Sequence, residues 1–245
     1  MISTVHTLPD YTTKYRMVQV FGSTDVNENA VRLGSIDTFD RRGNVIVLDD
    51  FEGVFLKWDM VRSAAPNDAV LIANRAKNGS QSCKLEAGAV ANEWVGIENY
   101  FIIPQLGKIG FEISFTKAAF VKYIEWFYTL YTGVYKYETG IRYTVAGGLL
   151  EYYNDAAGWT ELHPGIKLHG GTHTFHTLKV VVDAGTGRYV RALLNNNYFD
   201  MSAINMDSTG DVTAAKSYFS VKSTAQGVFN GNMYVDDFIL TQNEP

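Results

Sequence analysis

Three groups of side chains in this sequence have the types and spacing to do chemistry: acids on two matching segments, a histidine cluster and a run of aromatic rings. Residues 44–52 (NVIVLDDFE) and 232–241 (NMYVDDFILT) each carry an Asp-Asp-Phe centre inside an apolar run bounded by Gly/Asn turns. Side chains alternate across a strand, so one aspartate of each pair must share the core face. A buried carboxylate without a partner costs several kcal/mol or takes up a proton. A Ca²⁺ ion would resolve this, with Glu52 and Asp237 as candidate ligands. The alternative is satisfaction by backbone amides, Arg and Tyr hydroxyls. His163, His169, His173 and His176 suggest zinc by their proximity. However, His173 and His176 fall on opposite faces of an extended segment, and no Cys or acid lies between them. The third group is 123–131 (YIEWFYTLY), followed by Tyr135, Tyr137, Tyr143, Tyr152, Tyr153 and Trp159. Flat rings with polar rims suit sugars, and Trp126, Tyr128 and Trp159 are the candidate glycan contacts. Alternation sends half of these rings into a core.

The elements that must position these groups read as strands. Apolar, β-branched and aromatic runs recur at 70–74, 83–87, 94–103, 108–115, 121–132, 137–145, 149–154, 174–183, 189–194, 218–221 and 233–241. Gly147-Gly148 and the 183–187 segment (DAGTG) supply hairpin turns between them. Only 61–76 has room for a short helix. Many short strands without helices predict an all-β protein, an antiparallel β-sandwich of jelly-roll type spanning 44–245. The two acidic end strands are expected side by side. Residues 1–43 are polar, with one strand at 15–21 (YRMVQVF), and read as an extended N-terminal arm.

Composition narrows the function classes. Hydrophobic residues make up 46% of the 245 and aromatics 13%, enough for a sizeable core. A net charge of −5 without a Lys/Arg cluster argues against a nucleic-acid surface. No apolar run is long enough for a membrane-spanning helix. The first ten residues lack a secretory signal pattern, so a cytoplasmic location or non-classical release is expected. Cys83 is the only cysteine and reads as a small core residue. Neither a Gly-x-Ser-x-Gly elbow nor a Gly-rich phosphate loop is present.

Residues 174–183 (TFHTLKVVVD), a Gly turn, 189–195 (YVRALLN) and 199–202 (FDMS) together resemble the central hairpin of the concanavalin A-like lectin/glucanase jelly rolls, including laminin G-like modules. The acidic end strands are similar to that superfamily's paired ends. The resemblance implies a sandwich, His176 as part of a strand pattern, and a structural calcium near the end strands. The glucanase strand signature Glu-x-Asp-x-x-Glu is absent, so a non-enzymatic protein is expected. Two functions follow. One is a structural or assembly subunit, such as a virion head or decoration protein at the virion surface. Its arm would lace it into a homo-oligomer or onto other virion subunits. The alternative is a carbohydrate-binding module using aromatic rings on a concave sheet face.

Overall fold

The computed structural model describes residues 43–245 apart from 74, 103–105 and 155. The arm over 1–43, with its strand at 15–21, therefore lies outside the described residues except for Gly43. Sixteen strands and no helix are found among the described residues, so the described part of 61–76 holds no helix. The first sheet contains β1 (Asn44–Asp49), β3 (Asp68–Ala73), β4 (Gln81–Ala87), β6 (Lys108–Lys117), β11 (Gly171–Asp183), β12 (Arg188–Leu194), β13 (Asn197–Asp200) and β16 (Gly231–Gln242). The second contains β2 (Asp59–Arg62), β5 (Trp94–Phe101), β7 (Val121–Tyr131), β8 (Tyr135–Thr144), β9 (Leu149–Asn154), β10 (Gly158–His163), β14 (Asp207–Gly210) and β15 (Lys216–Ala225). Their orders are β13-β12-β11-β6-β16-β4-β3, with β1 beside β16, and β10-β9-β8-β7-β15-β5-β2, with β14 beside β8.

All the registered pairs are antiparallel, and the two sheets face each other as a sandwich. Alternating apolar residues fill the space between them. Ile109, Phe111, Ile113 and Phe115 of β6 meet Ile124, Trp126, Tyr128 and Leu130 of β7, all fully buried. Rings carry much of the contact: Phe111 stacks on Tyr128 at 5.3 Å, Phe115 meets Trp126 edge-on at 4.8 Å, and Phe219 lies 4.7 Å from Phe238. Each such side chain contributes about 1.5–3 kcal/mol by leaving water. The strands unforeseen from sequence, β2, β10, β13 and β14, are at most six residues long and mostly polar, so they lack the apolar alternation that marks the others.

The matching end strands do pair, Asp49 opposite Phe238 and Asn44 opposite Gln242. The Asp-Asp problem is solved by a bulge. The β16–β6 register shifts between Asp236 and Ile239, and Asp237 adopts a left-handed φ of 48°. Val235 and Phe238 can then both face the core, while the two acids turn outward beneath the 75–81 loop. Asp236 is fully buried and accepts backbone N–H bonds from Lys77 at 2.7 Å and Asp237 at 2.9 Å. Asp49 accepts from the Trp58 indole at 2.9 Å and the Phe51 amide at 3.1 Å.

Burial, reinforced by neighbouring Asp237, pushes the Asp236 carboxyl up from its ordinary 3.8 to about 6 despite those amide donors. A carboxyl raised in the folded state binds its proton more tightly there than in the unfolded chain. Its contribution to stability is complete below about pH 4 and is lost as pH rises through about 6. Unfolding free energy measured by urea across this window should fall for the native sequence and run flatter for Asp236→Asn. Equal slopes would show that Asp236 does not titrate as stated.

Candidate functional site

The outer face of the second sheet gathers the side chains that β7 keeps out of the core. Tyr123, Glu125, Phe127 and Tyr131 are half-buried there, and Thr129 lies between them. Register aligns them with neighbours in transverse rows. In one row Glu161 of β10 lies opposite Glu151 of β9, which faces Arg142 of β8, then Glu125 of β7 and Lys222 of β15. An adjacent row pairs Trp159 with Tyr153, then passes Gly140, Phe127 and Ser220 to Glu98 of β5. Six adjacent strands from β10 to β5 make this face roughly 24 Å across.

Three rings form the aromatic centre. Phe127, Tyr153 and Trp159 lie 5.3–5.6 Å apart in mutually edge-on pairs. They can approach because Gly140 stands between them without a side chain. A Cβ there would sit 3.0 Å from both Phe127 Cε1 and Tyr153 Cβ. The registered β8–β9 pairs run no further than Ile141 opposite Tyr152. Beyond them, the Tyr189 hydroxyl reaches across from the first sheet to take the Gly140 N–H at 2.8 Å. The ring floor is thus anchored from inside the sandwich.

Arg142 ties this centre to the charged row. Its guanidinium lies 4.5 Å from the Trp159 ring centroid and 4.8 Å from that of Tyr123. It donates two bonds to Glu151, Nη2 to Oε1 at 2.6 Å and Nε to Oε2 at 2.9 Å, and approaches Glu125 at 3.9 Å. Burial opposes the Glu151 charge, but Arg142 and the Thr144 hydroxyl outweigh it and hold Glu151 below the usual carboxylate range. Burial also dominates at Glu125, and there Arg142 and Lys222 do not overcome it, so its pKa is raised. Two carboxylates beside one guanidinium are thereby pushed apart in acidity. Lys222 lies over the Trp94 ring at 4.7 Å. Tyr218 donates to Glu98, and burial first and that carboxylate second push the phenol up.

Of the residues expected to contact a glycan, only Trp159 lies on this face. Trp126 and Tyr128 have no exposed surface and pack between the sheets, so they are corrected to core residues. Their parity along β7 is apolar from Ile124 to Leu130, with Lys122 at its start. The opposite parity, marked by Glu125 and Thr129, was the available signal for Phe127 and Tyr123. Glu52 and Asp237, expected as calcium ligands, instead hold the 77–81 loop. Glu52 accepts from the Ser80 amide at 2.7 Å, the Ser80 hydroxyl at 2.6 Å and the Gln81 amide at 2.8 Å. Asp237 accepts from Asn78 Nδ2 at 2.6 Å and pairs with Lys77 at 3.2 Å. Among the described residues no group of three or more His, Cys, Asp or Glu is placed to hold a metal. The histidines disperse: His176 is buried and meets the His169 carbonyl at 2.9 Å, while His163 packs on Phe199.

No protein-family model matches the sequence, and no curated protein matches it. In three dimensions the chain is similar to an endo-β-1,4-glucuronan lyase from the fungus Trichoderma reesei, with a TM-score of 0.57 and 11% identity over 81% of this chain and 95% of that one. Cellulose induced protein Cip1 gives 0.53 and 14% identity over 80% and 97% of the two chains. The Emp47p carbohydrate recognition domain gives 0.50 and 8% identity over 79% and 92%. The fold is the concanavalin A-like jelly roll.

The jelly roll's two sheets divide the labour, one carrying the aromatic face and the other anchoring it through Tyr189. Gly140→Ala should cost about 1–3 kcal/mol by overpacking, because Phe127 or Tyr153 must move. Tyr189→Phe should cost a similar amount, about 1–3 kcal/mol, by leaving the buried Gly140 N–H unpaired. Urea unfolding of both variants checks this, and changes under about 0.5 kcal/mol, the usual range for neutral surface substitutions, would contradict it.

Proposed function

We propose that this jelly roll is a glycan-binding module that recognises carbohydrate on the outer face of its second sheet. The observation that carries the reading is the ring trio Phe127, Tyr153 and Trp159 standing beside an Arg142 already fixed between carboxylates. Rings offer apolar surface to the C–H faces of a sugar, and the flanking charged groups offer hydrogen bonds to its hydroxyls. The glucuronan lyase acts on glucuronan and the Emp47p domain is a carbohydrate recognition domain, which accords with this reading. Glycan recognition is placed ahead of virion assembly because it is supported by a specific arrangement, three edge-on rings beside a guanidinium paired to carboxylates.

Binding without cleavage is the form of the proposal. Isothermal titration against a panel of neutral and uronate-containing polysaccharides should find at least one ligand. Trp159→Ala should weaken it by at least about 1 kcal/mol, or roughly fivefold. The same samples should release neither new reducing ends nor unsaturated ends. Ends that appear with the native protein and vanish in Glu125→Gln would replace the module by an enzyme, and an empty panel would remove the glycan reading.

A further inference from the structure

The charge layout of the aromatic face bears on which glycans it can take. Register places four cations on its outer surface: Lys136 and Arg142 on β8, and Lys216 and Lys222 on β15. Each is already engaged within the fold. Lys136 pairs with Glu138 at 2.9 Å, and Arg142 is held by both oxygens of Glu151. Lys216 lies 4.8 Å from the Tyr100 ring centroid and 5.2 Å from that of Tyr131. Lys222 reaches the Trp94 ring across Gly96, where a Cβ would come within 2.7 Å of the lysine Cγ. The missing side chain of Gly96 thus clears the path that keeps this ammonium on its ring.

Both flanks of the face are acidic. Asp59 of β2 stands directly opposite Glu98 of β5, and Asp207 of β14 directly opposite Glu138 of β8. Facing carboxylates repel, so a further negative charge at either flank is unfavourable. Between the flanks, Glu161, Glu151 and Glu125 outnumber Arg142 and Lys222 in the charged row. An ionised carboxylate accepts hydrogen bonds and donates none. The face is therefore rich in acceptors, and a ligand rich in donors complements it. Sugar hydroxyls donate, whereas an ionised uronate group only accepts. A polymer of amino sugars would donate too, but its ammonium groups would meet Arg142, Lys216 and Lys222 at the rings it must cover.

We propose that the aromatic face selects uncharged polysaccharides, rejecting uronate-bearing chains by its carboxylates and amino-sugar chains by the cations seated on its rings. This inference rests on the glycan-binding reading of the face and adds the class of glycan.

Isothermal titration of the full chain tests it with soluble β-glucan, mannan and galactan, each beside the same polymer oxidised at C6 to its uronate. Chitin oligomers beside their deacetylated forms complete the set. At least one neutral member should bind, and at least about tenfold more tightly than its charged counterpart. Added salt should narrow that gap, because ions screen the repulsion between charges. For a uronate form, Glu151→Gln, which releases Arg142, and Asp59→Asn, at an exposed position, should each narrow it as well. A charged member that binds as tightly as its neutral counterpart overturns the proposal and leaves the glycan reading standing. So does a gap that neither salt nor the two substitutions change. Binding to no member, neutral or charged, overturns both.

Discussion

The period of two along β7 is the constraint on which the rest of this structure depends. Every second residue must leave the core, so one strand in the middle of a sheet builds two surfaces at once. Ile124, Trp126, Tyr128 and Leu130 lock β7 against β6 of the facing sheet. That packing holds Tyr123, Glu125 and Phe127 rigidly on the other side. The outer rings need no support from loops, because their own strand is fixed from behind. Gly140 extends the same logic to β8: its missing side chain lets rings from β7 and β9 meet across it, and Tyr189 holds its backbone from the opposite sheet.

Carboxylates set the second constraint. A sandwich this apolar has few places for an acid, and the chain uses two kinds of solution. Near the core fixed dipoles receive Asp49, through the Trp58 indole and the Phe51 amide with Lys57 at 3.6 Å, whereas the buried Glu244 is held by Lys179 at 2.8 Å and Arg191 at 2.7 Å. Fixed dipoles cost little reorganisation and leave no mobile charge to desolvate. On the outer face a guanidinium does the work, and Arg142 serves Glu151 and Glu125 unequally. The inequality follows from geometry: two charge-assisted bonds to one carboxylate and a 3.9 Å approach to the other.

Much of the fold was legible in the sequence because it rests on local pattern. Strand alternation, the Gly147-Gly148 turn and the likeness of 44–52 to 232–241 all survive as observed strands, turn and end pairing. The site was less legible, for two physical reasons. Ring size drew attention to Trp126 and Tyr128, whereas exposure is decided by parity, and their parity is apolar from Ile124 to Leu130. Register was the other gap. Glu151 facing Arg142, and Gly140 facing Phe127, are facts about how neighbouring strands align, which no single segment encodes. The bulge at Asp237 belongs to the same class, since it exists only relative to β6.

The rigidity of the aromatic face bears on how it would bind. A flexible loop site must order its side chains when a ligand arrives, and each rotamer-rich side chain immobilised then costs about 0.5–1.5 kcal/mol. Here Phe127, Tyr153 and Trp159 are already in mutual contact, and Arg142 is fixed by Glu151 and bracketed by two rings. That ordering happens during folding, so it is absent from the free energy of association. A preorganised face roughly 24 Å wide suits a ligand that is itself extended and repeats its chemistry along its length. Each ring contact can then be modest, because several act at once on a chain that stays stretched across the strands. Selectivity among such ligands would fall to the charged row between Glu161 and Lys222, whose mixture of three carboxylates and two cations disfavours any polymer carrying one charge on every unit.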